Sequence, residues 1–210
     1  LASTGRPGPV HVDIPKDITA QVADFIYPSE INLPTYKPTV NYNKKQLKRA
    51  MEAISNAKKP LLYVGGGAIL SNCAYEIREL AKKLNIPAVE TLMARGVMGD
   101  ENPLFFGMLG MHGEFAANMA AHETDLLISL GARFDDRVTG RLDEFASKAK
   151  VIHVDIDPTS IAKLVVPDYP IVGDLKITVK AMIEATESSE NEFNDYTNWV
   201  ELLRDYREKE

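Results

Sequence analysis

Short continuous apolar runs alternate with stretches in which apolar residues recur every three or four positions, and this alternation fills the chain from residue 44 to residue 185. Runs of that kind bounded by glycine or proline read as strands buried on both faces, and the three-to-four spacing reads as amphipathic helix. Strands are therefore expected at 59–64, 86–90, 126–130, 151–155 and 169–172. Helices are expected at 44–57, with Leu47, Met51 and Ile54 inward, and from a Ser71 or Asn72 cap to Leu84, with Ile77, Leu80, Ala81 and Leu84 inward. Further helices are expected at 114–123, 142–146 and 175–185, with a helical turn at 159–164. Strands alternating with helices imply right-handed βαβ units. The expected class is α/β: a Rossmann-like parallel sheet of about six strands with helices on both faces.

Outside that region the rhythm changes. Residues 10–14 (VHVDI) alternate like a short strand closed by Pro15, and 16–43 carry Pro28, Pro34 and Pro38 with no helical period, as an extended linker would. The stretch 91–110 reads as one long loop. Residues 188–195 are polar and read as a second linker, followed by an amphipathic helix with Trp199, Leu202, Leu203 and Tyr206 on one face, whose partner can lie outside this chain. Residues 1–8 lack a starting Met, a basic segment and an apolar core, so they are expected to be the interior of a longer polypeptide and not a signal peptide.

Composition narrows the function. With 210 residues, 45% of them hydrophobic, the chain can bury one α/β core. A net charge of -6 argues against a general nucleic-acid binder, which needs clustered Lys and Arg. The apolar runs fall short of the roughly 20 residues of a membrane span. Cys73 is the single cysteine, which excludes an intrachain disulfide and an all-cysteine metal site. No G-x-S-x-G elbow and no H-E-x-x-H motif appears, and zinc is rejected because His112 has neither Cys nor regularly spaced acids beside it.

The chemistry gathers where strands end. Gly65-Gly66-Gly67 follows the first strand, where missing side chains let backbone N–H groups approach an anion or ring edge; a purely structural tight turn is the alternative. The loop GARFDDRVTG (131–140) places Arg133 and Arg137 among Asp135 and Asp136, suited to a phosphate or carboxylate, or alternatively to an internal salt-bridge cluster. Asp155 ends its strand as a ribose-binding acid does in dinucleotide folds, while Asp157 suits a cap for the turn at Pro158. Gly173-Asp174 repeats the geometry. MLGMHG (108–113) offers thioethers that can lie against a flavin or adenine or simply fill core gaps. Binding loops without catalytic players describe a cofactor cradle.

Taken together, GRPGPVHVDIPKD (5–17), LYVGGG (62–67), LGMHG (109–113), GARFDDRVTG (131–140) and VIHVDIDP (151–158) resemble the catalytic subunits of the acetohydroxyacid (acetolactate) synthase family of thiamine-diphosphate enzymes. The resemblance covers residues 1–185, and FDDRVTG after G-A-R is its most specific part. It implies that 1–15 close a pyrimidine-binding domain, 16–43 link, 44–186 form a central FAD-binding domain, and 187–210 lead toward a diphosphate-binding domain. It implies FAD contacts at Arg6, Gly66, Thr91, Leu92, Leu109, Gly110, Met111, His112, Gly131, Ala132, Arg133, Phe134, Asp135, Asp155, Ile156, Asp174 and Leu175. It implies 2-oxo acid contacts at Arg137, Asp136, Lys16 and Met111. No catalytic residue or metal ligand matches within the chain, because the activating Glu and the diphosphate motif are absent; thiamine diphosphate and Mg²⁺ are expected to bind mainly elsewhere in a full-length enzyme. The family reaction condenses two pyruvates, or pyruvate and 2-oxobutyrate, with loss of CO₂, in branched-chain amino-acid biosynthesis. Full-length members are expected as homodimers or tetramers with a regulatory subunit, cytoplasmic in bacteria or in plastids or mitochondria of eukaryotes. Two rivals of other classes are an adenine-nucleotide-binding regulatory module and a nicotinamide-dependent deacylase, and a further alternative is the central domain of another thiamine-diphosphate enzyme. The second rival lacks its catalytic His and four-Cys zinc site here.

Overall fold

The computed structural model describes residues 1–188 and 192–209, with the Ser188 side chain also outside the description. The part of the second linker at 189–191 therefore lies outside the described residues. The chain divides into two compact units, Leu1–Pro38 and Thr39–Glu210.

In the first unit a single helical turn, α1 (Lys16–Thr19), starts directly after Pro15. The Tyr36 hydroxyl donates to the Thr4 carbonyl at 2.8 Å. The strand expected at 10–14 does not form: Val10, Val12 and Ile14 are exposed and unpaired, because a strand needs a neighbour to satisfy its backbone and the described residues supply none.

The second unit holds the sheet. Its strands are β1 (Pro60–Val64), β2 (Ala88–Glu90), β3 (Phe105–Met108), β4 (Leu126–Leu130), β5 (Lys150–Asp155) and β6 (Tyr169–Val172). They lie in the order β3-β2-β1-β4-β5-β6, and every pairing is parallel. The central strands PLLYV and LLISL are buried along their whole length, which is why they read as apolar runs without alternation. The sixth strand is β3, inside the stretch expected to be loop. Pro103 and Gly107 obscure it, and Glu114 holds its end by accepting from the Met108 N–H.

The helices are α2 (Lys44–Asn56), α3 (Gly67–Leu70), α4 (Ala74–Leu84), α5 (Phe115–Glu123), α6 (Asp136–Thr139), α7 (Leu175–Ser188) and α8 (Thr197–Arg207), with a 3-10 turn at Leu92–Ala94. Asn43 caps α2 by accepting from the Lys45 and Gln46 N–H groups, and Leu47, Met51 and Ile54 face the core as the spacing requires. The crossover β1 to β2 runs one way along the sheet and β3 to β4 the other, so right-handed connections place α4 and α5 on opposite faces. α2, α4 and α7 pack together, and α5 packs with α8 and β3.

Three expectations are corrected. Ser71 does not cap α4: its hydroxyl donates to Asp174 Oδ2 at 2.8 Å and accepts from the Lys176 N–H at 2.9 Å, so it helps cap α7. The helix expected at 142–146 is a set of turns, and helix forms instead at Asp136–Thr139, where Asp135 accepts from the Arg137 N–H as a cap. The terminal helix finds its partner within the chain, since α8 docks on α5 and β3 with Trp199 and Leu203 buried. Trp199 Nε1 donates to the Pro60 carbonyl at 3.0 Å, tying α8 to the start of β1. Among the described residues no helix is long and apolar enough to cross a membrane. Trp199→Ala should destabilise the fold by about 3–5 kcal/mol, measured by urea unfolding, and a loss under about 1 kcal/mol would contradict docking of α8 as a core element.

Candidate functional site at the carboxyl rim of the sheet

Because every strand is parallel, every carboxyl end opens on one rim. Gly66 follows β1, Thr91 and Leu92 follow β2, and residues 109–112 follow β3. Residues 131–137 follow β4, Asp155 and Ile156 end β5, and Asp174 and Leu175 follow β6. The order is that of a doubly wound fold whose direction reverses between β1 and β4, the usual place for a ligand. Of the residues singled out from sequence, Arg6 and Lys16 belong to the other compact unit.

At the reversal the loops after β1 and β4 touch backbone to backbone. The Gly67 N–H donates to the Gly131 carbonyl at 3.0 Å and the Gly65 N–H to the Leu130 carbonyl at 3.0 Å. A Cβ on Gly67 would sit 2.8 Å from Gly131 Cα, and one on Gly65 would sit 2.6 Å from Ala132 N. The structural reading of the triplet therefore holds for Gly65 and Gly67. Gly66 between them is half-buried, and its N–H donates to nothing among the described residues.

Two further loops converge here. The Met111 N–H donates to the Arg137 carbonyl at 3.1 Å, which joins the loop after β3 to the one after β4. Asn118 on α5 clamps Gly110 from both sides, accepting from its N–H at 3.2 Å and donating to its carbonyl at 3.1 Å. Glu90, buried at the end of β2, accepts from the Met98 and Gly96 N–H groups at 2.6 and 3.1 Å and so holds the segment that begins with Thr91 and Leu92. Burial pushes the Glu90 carboxyl above its ordinary range against those two bonds. Leu92, Met93 and Met111 are exposed on this rim, apolar surface that solvent alone would not favour. Thr91 Oγ1 is buried without a hydrogen-bond partner among the described residues.

In the loop after β4 the polar side chains point out and the aromatic one in. Arg133, Asp135, Asp136 and Arg137 are exposed, and among the described residues neither arginine forms an ion pair; the pairs nearby join Arg141 to Asp143 and Glu144. The alternative of an internal salt-bridge cluster is thus not what the loop forms. The Arg137 N–H, then nearby Asp136 and the two guanidinium groups, hold the Asp135 carboxyl below its usual range. Phe134 is buried against Tyr63, His153 and Phe145, with centroids at 5.6, 5.0 and 6.2 Å, so its side chain is turned away from the rim. Asp174 is likewise engaged as the cap of α7, accepting from Ser71 Oγ and the Ile177 N–H. Asp155 accepts from the Asp157 N–H at 2.9 Å, and Asp157 caps the following turn through the Thr159 N–H as expected.

Sequence reading missed the residues that fix these loops: Glu90, Asn118, Ser129 and His153. The signal was present as polar residues inside runs otherwise destined for the core, where burial demands a partner. His153 Nε2 lies 2.9 Å from the Ala132 carbonyl, so this nitrogen carries the proton and donates.

The profile described as "Thiamine pyrophosphate enzyme, central domain" matches residues 47–182, and the chain belongs to this family. Within it the similarity is to acetolactate synthases. A large subunit from Corynebacterium glutamicum is 47% identical over 204 residues, 97% of this chain and 33% of that protein. The isozyme 3 large subunit from Escherichia coli is 41% identical over 214 residues, covering 100% of this chain and 37% of that protein. An acetolactate synthase from Mycobacterium bovis is 50% identical over 183 residues, 87% of this chain and 30% of that protein. The chain thus spans roughly a third of the length of these relatives.

Two predictions follow from the rim's construction. Gly67→Ala should cost about 2 kcal/mol or more in urea unfolding, since it drives apart two bonded backbones; a neutral substitution would contradict that contact. Burial also lowers the His153 pKa from 6.5 to about 4. Above pH 6.5 the folded and unfolded imidazoles are both neutral. Between pH 6.5 and about 4 only the unfolded chain takes up the proton, so acidification across that window should remove up to about 3 kcal/mol of stability. His153→Gln should lack this component when unfolding is compared at pH 7.5 and 4.5, and parallel losses in both proteins would contradict it.

Proposed function

We propose that this chain is the central, FAD-binding domain of an acetolactate synthase, a transferase that condenses two pyruvates, or pyruvate and 2-oxobutyrate, with loss of CO₂. The observation that carries the reading is the convergence of the loops after β1 to β4 on one rim that also exposes Leu92, Met93 and Met111, with the Gly66 and Arg133 N–H groups unbonded among the described residues. A flat tricyclic ring suits that apolar surface, and a diphosphate suits the N–H groups of Gly66 and Arg133. The unpartnered Thr91 hydroxyl is a further group that a ligand could satisfy.

Gly66, Thr91, Leu92 and residues 109–112 and 131–135 would hold the flavin, with Asp155 and Ile156 on its adenosine side. Asp174 and Leu175 would contribute from the start of α7. Bound FAD takes no net redox part in the condensation. Arg137, exposed and unpaired among the described residues, would receive the carboxylate of the acceptor 2-oxo acid, with Asp136 beside it and Met111 joined to it through its N–H. Thiamine diphosphate and Mg²⁺ would bind mainly through the other domains, so this chain alone would not turn over. The whole enzyme would be a cytoplasmic homodimer or tetramer, or an organellar one in a eukaryote, joined by a regulatory subunit.

Titration of the complete natural polypeptide, freed of cofactor, should show FAD binding well ahead of ATP and NAD. Preference for ATP would favour a regulatory nucleotide module instead. Arg137→Ala should raise the acceptor KM about tenfold or more while changing donor decarboxylation little. Equal loss in both steps would remove the acceptor role.

A further inference from the structure

A row of buried polar side chains underlies the rim and has no part in the function proposed above. Tyr63, Ser129 and His153 are register partners on β1, β4 and β5, side by side across the sheet, and all three are fully buried. The Phe134 ring covers the row, standing nearly perpendicular to the His153 imidazole. Two members of the row reach one atom. His153 Nε2 donates to the Ala132 carbonyl at 2.9 Å, and Ser129 Oγ lies 3.4 Å from the same oxygen.

That single oxygen sets the direction of the next donor. In a planar trans peptide the carbonyl and the following N–H point in opposite directions. With the Ala132 carbonyl drawn down toward the sheet, the Arg133 N–H is turned up to the rim, where it donates to nothing among the described residues. The backbone just beyond is strained in the same sense: Phe134 adopts a left-handed φ of 57°, uncommon for an aromatic residue and sustained by burial of its ring. His153 Nδ1, by contrast, is buried without a hydrogen-bond partner among the described residues.

We infer that His153 is a positioning residue, which fixes the Ala132–Arg133 peptide so that the Arg133 N–H is aimed in advance at an anionic group of the bound dinucleotide. The inference rests on the flavin reading of the rim. A pre-aimed donor to a charged oxygen is worth about a tenfold to hundredfold factor in affinity.

The test compares FAD dissociation constants, by flavin fluorescence, in the cofactor-free complete polypeptide carrying His153, His153→Phe or His153→Gln, with melting temperatures of each apo-protein recorded alongside. Phenylalanine fills the space without a donor, and glutamine restores an N–H at about the reach of Nε2. The Phe variant should bind FAD at least about tenfold more weakly and the Gln variant within about threefold of the parent. Should the Phe variant fail to fold, His153→Asn, too short to reach Ala132, carries the same expectation. If the parent binds FAD and a folded Phe or Asn variant binds it equally well, the positioning role is overturned and the flavin reading stands. Equal weakening by Phe and Gln overturns it as well. If the parent does not bind FAD, both readings fall.

Discussion

The bond from the Gly67 N–H to the Gly131 carbonyl closes the sheet at the point where its winding reverses. Connections leave β1 and β4 toward opposite faces, so the carboxyl ends of these strands would splay into a cleft if side chains stood between them. Glycines at 65, 67 and 131 remove that obstacle and bring the two turns into van der Waals contact. The loop after β4 is then a ledge across the top of β1, and its charged side chains have only the rim to face. The loop after β3 reaches the same ledge through the Met111 to Arg137 bond. The loops after β1, β3 and β4 are thus tied to one another through their backbones.

Around it the molecule separates two tasks. Apolar strands and helix faces supply cohesion, and α8 adds to it through Trp199 rather than waiting for another domain. Buried polar groups supply direction. Glu90, Ser129 and His153, all buried, and the half-buried Asn118 each hold a backbone group of a rim loop. Such groups are costly to bury unless bonded, which makes them effective in selecting one loop geometry over others.

The location of the candidate rim could be read from the chain because it needed only strand ends and polarity. Leu126–Leu130 followed by GARFDDR states both in twelve residues. What could not be read needed register or long-range pairing. That Tyr63, Ser129 and His153 form a row depends on how three strands align, and no local pattern encodes it. Ser71 looks like a cap for the helix after it, yet its partners are Asp174 and Lys176, about a hundred residues away. Residues 10–14 carry a strand's alternation but not the neighbour a strand requires, while Phe105–Met108 lack the alternation and have the neighbour in β2. The family resemblance supplied the proposed ligand, which the residues alone left as an anion or a flat ring.

The central claim is that one rim of the sheet, through four separate turns, grips FAD. Hydrogen–deuterium exchange of the complete polypeptide with and without FAD tests it most directly. The account predicts new protection at 66–67, 91–93, 110–112 and 131–135 together, with the amino-terminal ends of the strands unchanged. Protection confined to those opposite ends, or spread evenly over the sheet without the four turns, would contradict it.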